Sequence, residues 1–422
     1  MGLFEELQWR ELVYDSTEGL RDLIDKEPMT AYNGFDATAA SLHVGHLLPA
    51  LALARLQRFG HTPIALVGGG TGLIGDPSGK SAERQLLTFA QVEANSKGIR
   101  AQLERVLDFG ASANAAHMVN NIDWLRPIGL LDFLRDVGKH FTVNYMMAKD
   151  SVKRRLTSDE GISFTEFSYQ LLQAYDYLVL HERYKCTLQT GGSDQWGNIT
   201  AGVDLIRRVR GARAYGMVFP LITNAAGTKF GKTEAGAVWL DARLTSPFRF
   251  YQFWLNSDDR DVVRYLKFFT WLDPPMIAAL EREVVVAPER REAQRVLARE
   301  VTALVHGDTE MQSAERASAV LFGSSLANAT ADEILTVFDD VPSVELARSA
   351  LQEGVLTVEV VVTAGLSTSK GEATRLIKQG GLYVNDQRVA EERGRLTLDH
   401  AIDGRVIVLR KGQRERRLVK IL

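Results

Sequence analysis

Apolar positions along this chain follow two different periods. In the first half, short continuous apolar runs alternate with stretches of helical spacing, as expected for a parallel sheet with helices packed on its faces. Pro63-Ile64-Ala65-Leu66-Val67 reads as a strand buried on both sides that runs into Gly68-Gly69-Gly70. Before it, 47–59 carries apolar residues at helical intervals and stops at Gly60, a residue suited to a helix C-terminus. A second long helix is predicted over 164–180. From about Ser246 the period is helical: 248–256, 261–270, 274–283 and 288–306, the last with a proline in its first turn. Small and acidic residues interrupt short helical pieces over 323–353, which reads as a linker. A small separate domain follows. Its helix over 370–379 is predicted to start at a Ser367 cap and end at Gly380-Gly381, and its last hairpin turns at Lys411-Gly412 between 404–410 and 414–421.

At 422 residues, 45% of them hydrophobic and 24% charged, the chain is long enough for two or three globular cores. Its single cysteine, Cys186, excludes an intrachain disulfide framework and fits a reducing compartment. Residues 1–9 include Glu5 and Glu6 and lack a basic start followed by an apolar run, so no secretory signal is expected. No stretch approaches the roughly 20 apolar residues needed to cross a bilayer, and the expectation is a cytoplasmic protein. Net charge is −3, but Gly354 to Leu422 holds 13 Lys and Arg against 8 Asp and Glu. A basic tail on an acidic body points to a polyanionic partner, although such runs also occur as plain solvated faces.

The run Gly68 to Ser81 (GGGTGLIGDPSGKS) satisfies G-x-G-x-x-G at Gly70, Gly72 and Gly75. A dinucleotide site needs a helix to open inside that fingerprint, and Asp76-Pro77-Ser78-Gly79 is hostile to one. Gly79-Lys80-Ser81 is out of step with a P-loop by one position, Ile74 standing where the first glycine belongs.

His43-Val44-Gly45-His46 stands just before the helix over 47–59, with Ser41 predicted as the N-cap. Imidazoles at i and i+3 share one face at the positive end of a helix dipole, a setting that favours phosphate. Gly45 would let a ring or phosphate approach the backbone. A metal pair or two surface histidines remain open on these residues alone. Lys229-Phe230-Gly231-Lys232-Thr233 offers a cationic loop able to neutralise charge that develops on a triphosphate, or else a solvated hairpin tip. Tyr169, Gln173 and Asp176 fall at i, i+4 and i+7 of the helix over 164–180, forming a polar line that is either a buried recognition surface or the wet side of an amphipathic helix.

HVGH followed by KFGKT resembles the paired signatures of class I aminoacyl-tRNA synthetases. Tyr32-Asn33-Gly34-Phe35-Asp36, YQLLQAYD from Tyr169 to Asp176, and Gly191-Gly192-Ser193-Asp194-Gln195-Trp196-Gly197-Asn198 look like those of the bacterial tyrosyl branch, and the resemblance covers essentially the whole chain. It implies a Rossmann-like catalytic domain over 1–222, a KFGKT loop with an α-helical domain over 223–322, the linker over 323–353, and a C-terminal α+β RNA-binding domain over 354–422. It also implies a tyrosine–tRNA ligase that forms tyrosyl-adenylate and pyrophosphate from tyrosine and ATP, then transfers the tyrosyl group to the 3′-terminal adenosine of tRNA(Tyr). Magnesium would arrive with ATP, with no protein metal site and no tightly bound cofactor. A homodimer joined through 130–147 is implied as well.

By the same resemblance Tyr32 and Asp176 meet the phenol hydroxyl, Tyr169, Gln173 and Asp76 surround the substrate ammonium, Gln195 lies near its carboxylate, and Gln189 shapes the pocket. Thr38, His43, Lys229, Lys232, Thr233, Lys80 and Arg84 would meet the phosphates. Gly34, Asp36, Gly45, His46, Gly192 and Asp194 would contact the rest of the nucleotide. Asn33 and Ala37 depart from the cysteine and proline common in relatives, which bears on ATP affinity. In the tail, Lys370, Arg375, Lys378, Arg410, Lys411, Arg414, Arg416 and Arg417 form the expected tRNA surface. Three other readings compete with it: an RNA-binding regulator with an inactive body would have lost one of the two motifs, a nicotinamide-dependent oxidoreductase fails at Pro77, and a tryptophan-specific relative would lack the Tyr32 and Asp176 pair.

Overall fold

The apolar runs of the first half become the strands of one sheet. The computed structural model describes residues 1–78, 87–110, 112–157, 161–225, 227, 230–233, 236–321, 326, 329–338, 341–412 and 415–422, without the side chains of 150, 151, 154, 232, 233, 320 and 321. The chain divides into two bodies, Met1–Ser246 with Phe253–Val305, and Pro247–Gln252 with His306–Leu422.

In the first body, β1 (Asp15–Ser16), β2 (Thr30–Asp36), β3 (Thr62–Gly68), β4 (His117–Asn120), β5 (Cys186–Gly192) and β6 (Tyr215–Phe219) lie in the order β1-β6-β5-β2-β3-β4. Only β1 is antiparallel to its neighbour. From β2 the chain steps outward through β3 and β4, and from β5 it steps the other way to β6. The strand order therefore reverses between β2 and β5, and a crevice opens beyond their carboxyl ends. The predicted strand 63–67 sits within β3, and its residues are buried as a sheet covered on both faces requires. No described helix starts between the glycine run and Phe89, only the short 3-10 turn Thr71–Leu73.

The first long helix spans Val44–Arg58 and begins three residues earlier than the periodicity predicts, so HVGH forms its N-terminus. The polar line lies on Phe164–Tyr184. The expected helix 288–306 is broken: Pro288–Arg290 is a 3-10 turn, Arg291 takes φ +51°, and Glu292–His306 follows. Left-handed backbone costs a non-glycine residue roughly 1–2 kcal/mol. The Arg291 guanidinium offsets this by donating to Leu255 O at 2.7 Å and Ser257 O at 3.1 Å.

After the two-residue strands β7 (Lys232–Thr233) and β8 (Gly236–Ala237), the remaining strands belong to the second body. They are β9 (Ser343–Leu346), β10 (Val355–Leu356), β11 (Leu382–Val384), β12 (Gln387–Arg388), β13 (Arg395–Leu396), β14 (Val406–Lys411) and β15 (Glu415–Ile421). Five of them form a sheet in the order β12-β11-β14-β15-β9, and β10 pairs with β13. Alternation along β14 divides the core: Ile407 and Leu409 pack with Val361, Ala373 and Ile377, while Val406 and Val408 pack with Ile334 and Phe338. The stretch 323–353, expected as a linker, supplies both the Ala331–Val337 helix and β9, which pairs in parallel with β15. The cap of helix Lys370–Lys378 is Ser369, whose hydroxyl accepts from Glu372 N at 3.2 Å, and not the expected Ser367, which is buried. No helix among the described residues is long and apolar enough to cross a membrane.

Candidate active site

The ends of β2, β3, β4 and β5 supply the crevice. β2 brings Tyr32, Asn33, Gly34 and Asp36, with Tyr32 in register beside Gln189 of β5. The polar line closes over them as a buried surface, with Asp176 only 1% and Tyr169 5% exposed, which excludes the wet face of an amphipathic helix. Tyr169 donates its hydroxyl to Asp36 Oδ2 at 2.8 Å. Asp176 accepts from Trp124 Nε1 at 2.7 Å and Asn121 Nδ2 at 2.9 Å. Asn121 Nδ2 also reaches Thr71 Oγ1 at 2.9 Å, and Thr71 donates to Asp36 Oδ1 at 2.7 Å. The hydrogen bonds thus form a circuit from Asp176 through Asn121, Thr71 and Asp36 back to Tyr169 on the same helix. Such a network fixes each rotamer and makes the loss of any member felt at the others.

Beside it, Asn198 Nδ2 donates to Gln173 Oε1 at 3.0 Å and to Gln195 Oε1 at 3.2 Å, and Gln195 Nε2 donates to Asp76 Oδ2 at 2.6 Å. Asp76 Oδ1 accepts from Ser78 N at 2.8 Å. All seven residues expected to hold the amino acid therefore converge. Thr71, Asn121, Trp124 and Asn198 were not singled out from the sequence. Asn120-Asn121 at the end of an apolar strand was a usable signal, since amides are uncommon where a parallel strand would otherwise stay apolar. Asp36, expected on the nucleotide side, accepts hydrogen bonds from Thr71 and Tyr169.

Two features of this pocket concern charge and pairing. Burial pushes the Asp176 carboxyl up to about 7, against the opposing pull of the Asn121 and Trp124 hydrogen bonds. Burial likewise raises the Tyr32 phenol, with the Asp176 charge as the next cause. Tyr32 is 1% exposed, and its hydroxyl has no hydrogen-bond partner among the described residues, nor has Gln189 Oε1. A buried polar atom left unpaired costs about 1–3 kcal/mol, so these atoms suit a ligand that brings a hydroxyl.

HVGH is built as a reciprocal cap. His43, and not Ser41, is the N-cap: its Nδ1 accepts from Gly45 N at 3.0 Å, while His46 Nδ1 accepts from His43 N at 3.2 Å. The rings stand 3.9 Å apart. Accepting at Nδ1 leaves the proton of each neutral imidazole on Nε2, so both rings present an N–H donor. A Cβ at Gly45 would lie 2.8 Å from His43 Cε1, so the glycine makes room for the cap itself. Ser41 donates to Leu42 O at 2.7 Å and accepts from Asp241 N at 3.2 Å.

The second motif lies against the first. Gly231 takes φ +78°, and a Cβ there would lie 2.6 Å from Val44 Cγ2. Gly231 O accepts from Val238 N, and Val238 O accepts from Val44 N, each at 3.0 Å. Lys232 and Thr233, the next two residues, are described by their backbone in β7. Lys229, Lys80, Arg84 and Arg414 lie outside the described residues. Around the same crevice, Gly34 is exposed, Gly192 ends β5, Asp194 lies in the following 3-10 turn, and Thr38 N donates to Asp36 O at 2.8 Å. Asn33 is turned inward, donating to Gly34 O at 3.0 Å and accepting from Thr190 Oγ1 at 3.3 Å.

In the second body the predicted basic surface is divided between the two faces of the sheet. Arg410, over the Tyr383 ring at 3.8 Å, and its cross-strand partner Arg416, over Phe338 at 5.6 Å, occupy one face. Lys411 donates to Leu366 O at 2.9 Å and lies with Arg417 on the other, toward the helix of Lys370, Arg375 and Lys378. Lys370 pairs with Glu359 at 2.6 Å and Lys378 with Glu392 at 3.3 Å.

Comparison with known proteins shows the family. Residues 25–323 match the family "tRNA synthetases class I (W and Y)", and 333–419 match "Tyrosine--tRNA ligase SYY-like C-terminal domain". The chain is 57% identical over 421 residues to the tyrosine–tRNA ligase of Roseiflexus castenholzii, covering 100% of this chain and 99% of that one. It is 54% identical over 425 residues to that of Geobacillus stearothermophilus, with 100% of both covered. Among solved structures, a C-terminally truncated mitochondrial tyrosyl-tRNA synthetase of Aspergillus nidulans is similar at TM-score 0.69 and 32% identity, over 76% of this chain and 94% of that one.

Proposed function

The chain belongs to the class I tRNA synthetases of the tryptophan and tyrosine group, and we propose that within it the chain is a tyrosine–tRNA ligase whose pocket recognises the substrate phenol through Tyr32 and Asp176. One observation carries the pocket assignment: a fully buried, unpaired Tyr32 hydroxyl under the influence of a fully buried carboxylate. The phenol O–H of tyrosine would donate to Asp176 and accept from Tyr32. The indole N–H of tryptophan could donate to Asp176 but offers no acceptor to the Tyr32 hydroxyl. Asp76, Tyr169 and Gln173 then face the ammonium, with Gln195 and Gln189 completing the slot.

In the first half-reaction a carboxylate oxygen of tyrosine attacks the α-phosphorus of ATP, and the bond to the bridging oxygen of pyrophosphate breaks. In the second, a hydroxyl of the 3′-terminal ribose of tRNA attacks the adenylate carbonyl and AMP leaves. No side chain has to become a nucleophile. On this reading the chain contributes positioning and preorganised donors: the His43 and His46 N–H groups at a helix N-terminus, and the cations that KFGKT would bring. Lys229, Lys232, Thr233, Lys80, Arg84 and Thr38 would share the phosphates, while Gly34, Gly45, Gly192 and Asp194 would border the nucleoside. Magnesium would enter on the nucleotide.

The exposed Leu130, Leu131, Leu134, Val143 and Met147 support a homodimer through 130–147. The C-terminal body, with its cations on Lys370–Lys378, β14 and β15, would hold tRNA phosphates. A single buried cysteine supports a cytoplasmic protein.

Pyrophosphate exchange with each of the twenty amino acids tests the substrate. Tyrosine alone should support exchange, and equal exchange with tryptophan or phenylalanine would refute the assignment. The Asp176 carboxyl adds a pH dependence. Its ionised form accepts the phenol, so with its midpoint near 7 the tyrosine Kd should be about tenfold larger at pH 6 than at pH 8 by equilibrium dialysis. Because the folded-state pKa is raised, this group favours the free folded protein below its unfolded value near 4, and that contribution is lost as pH climbs toward 7. A flat tyrosine Kd across that range would contradict the ionised acceptor.

A further inference from the structure

Four aromatic rings surround Phe230. It stacks on Phe269 with centroids 5.4 Å and planes 15° apart, and meets Tyr265 at 4.9 Å, Phe253 at 5.5 Å and Trp254 at 5.6 Å. It is 7% exposed. Its backbone N–H donates to Ile222 O at 3.1 Å. Tyr265 and Phe269 stand on helix Asp259–Phe269, which is tied at both ends. Near its start, Asp261 Oδ2 accepts from Ala225 N at 2.8 Å, just ahead of KFGKT. Beyond its last turn, Thr270 O accepts from Arg55 Nη2 at 2.9 Å and from Arg10 Nη1 at 3.2 Å. Arg55 belongs to the same helix that begins with HVGH.

The cage and the histidine helix are therefore one frame, and the chain enters it twice in succession. Phe230 is seated in the cage, and Gly231 is pressed on Val44 between the two histidines. Lys232 is the next residue. Phe230 has no group that could act on a nucleotide, and a hydrophobic residue at this place need only be buried for the fold. A ring stacked on Phe269, edged by Phe253 and met at a tilt by Trp254 and Tyr265 goes beyond burial, because aromatic pairs carry directional preference as well as area. Resting on the reading of Lys232 as a phosphate contact, we infer that Phe230 is a positioning residue: its cage fixes where strand β7 leaves the frame, and so where the Lys232 charge stands relative to His43 and His46.

The test is the rate of adenylate formation in rapid-quench measurements at saturating tyrosine and ATP, with the tyrosine Kd measured alongside. Displacement of a charged group by about 1 Å is enough to cost up to a hundredfold, so Phe230→Ala should slow the step by about tenfold or more with the tyrosine Kd within about twofold. Phe230→Leu, which fills the cage without the stack, should fall between, about threefold slow. If the two residues act as one unit, Phe230→Ala combined with Lys232→Ala should be no slower than Lys232→Ala alone. A parent-like rate in Phe230→Ala overturns the positioning role, as does multiplication of the two losses or a parallel collapse of tyrosine binding. Should the alanine variant fail to fold, a parent-like Phe230→Leu overturns it equally. A parent-like rate in Lys232→Ala would instead remove the phosphate contact on which the inference rests.

Discussion

Asp176→Ala should lower tyrosine-dependent pyrophosphate exchange by about a thousandfold or more while the chain stays folded. The substitution removes the acceptor of the substrate phenol and leaves Asn121 Nδ2 and Trp124 Nε1 without their partner in a site closed to solvent. Three unpaired groups at about 1–3 kcal/mol each amount to about 3–9 kcal/mol, a range that includes the roughly 4 kcal/mol corresponding to a thousandfold. Not all of that falls on the substrate, because part destabilises the free protein and should lower its melting temperature. The remainder propagates along Asn121, Thr71 and Asp36 to Tyr169, so the ammonium end of the pocket should loosen as well. Asp176→Asn keeps the volume and one acceptor and should lose less. Circular dichroism establishes that the variant is folded, and ordinary exchange in such a variant would end the assignment of Asp176 to the phenol.

What could be read in advance follows from how each feature is encoded. The sheet and the long helices were legible because burial imposes a period on many residues at once, as in β3 and in Phe164–Tyr184. The polar line was legible for the same reason, since its three positions stand out against an apolar helix. Features set by one contact were not. The break at Arg291 depends on carbonyls of Leu255 and Ser257, far back in the chain. β9 is only four residues long, and only its pairing with β15 makes it a strand. The cap at His43 was missed because imidazoles rarely take the role usually given to Ser or Asp, so the eye settles on Ser41. Thr71, Asn121 and Trp124 act on Asp36 and Asp176 from other elements, and no spacing rule links residues brought together only by the sheet. The tail cations were found as residues but not as a surface, because strand alternation sends Arg410 and Lys411 to opposite faces.

Lys232→Ala should slow adenylate formation by about a hundredfold to a thousandfold, the usual effect of removing one preorganised group from developing charge. Tyrosine binding should change little, because the phenol and ammonium contacts proposed above fall on Tyr32, Asp76 and the helix Phe164–Tyr184 and not on β7. The backbone supports this division. Val238 bridges Gly231 and Val44, so the backbone of β7 starts beside the helix N-terminus that carries the two imidazoles, as the proposed phosphate role of Lys232 requires. Losing an interaction that tightens only as pyrophosphate departs lowers the rate constant without altering ground-state affinity, and that pattern separates a transition-state contact from a binding contact. Rapid-quench rates with a tyrosine Kd measured on the same preparation give both quantities. A weakened tyrosine Kd with an unchanged rate constant would make Lys232 a ground-state binding residue, and unchanged values of both would place the triphosphate elsewhere in the crevice.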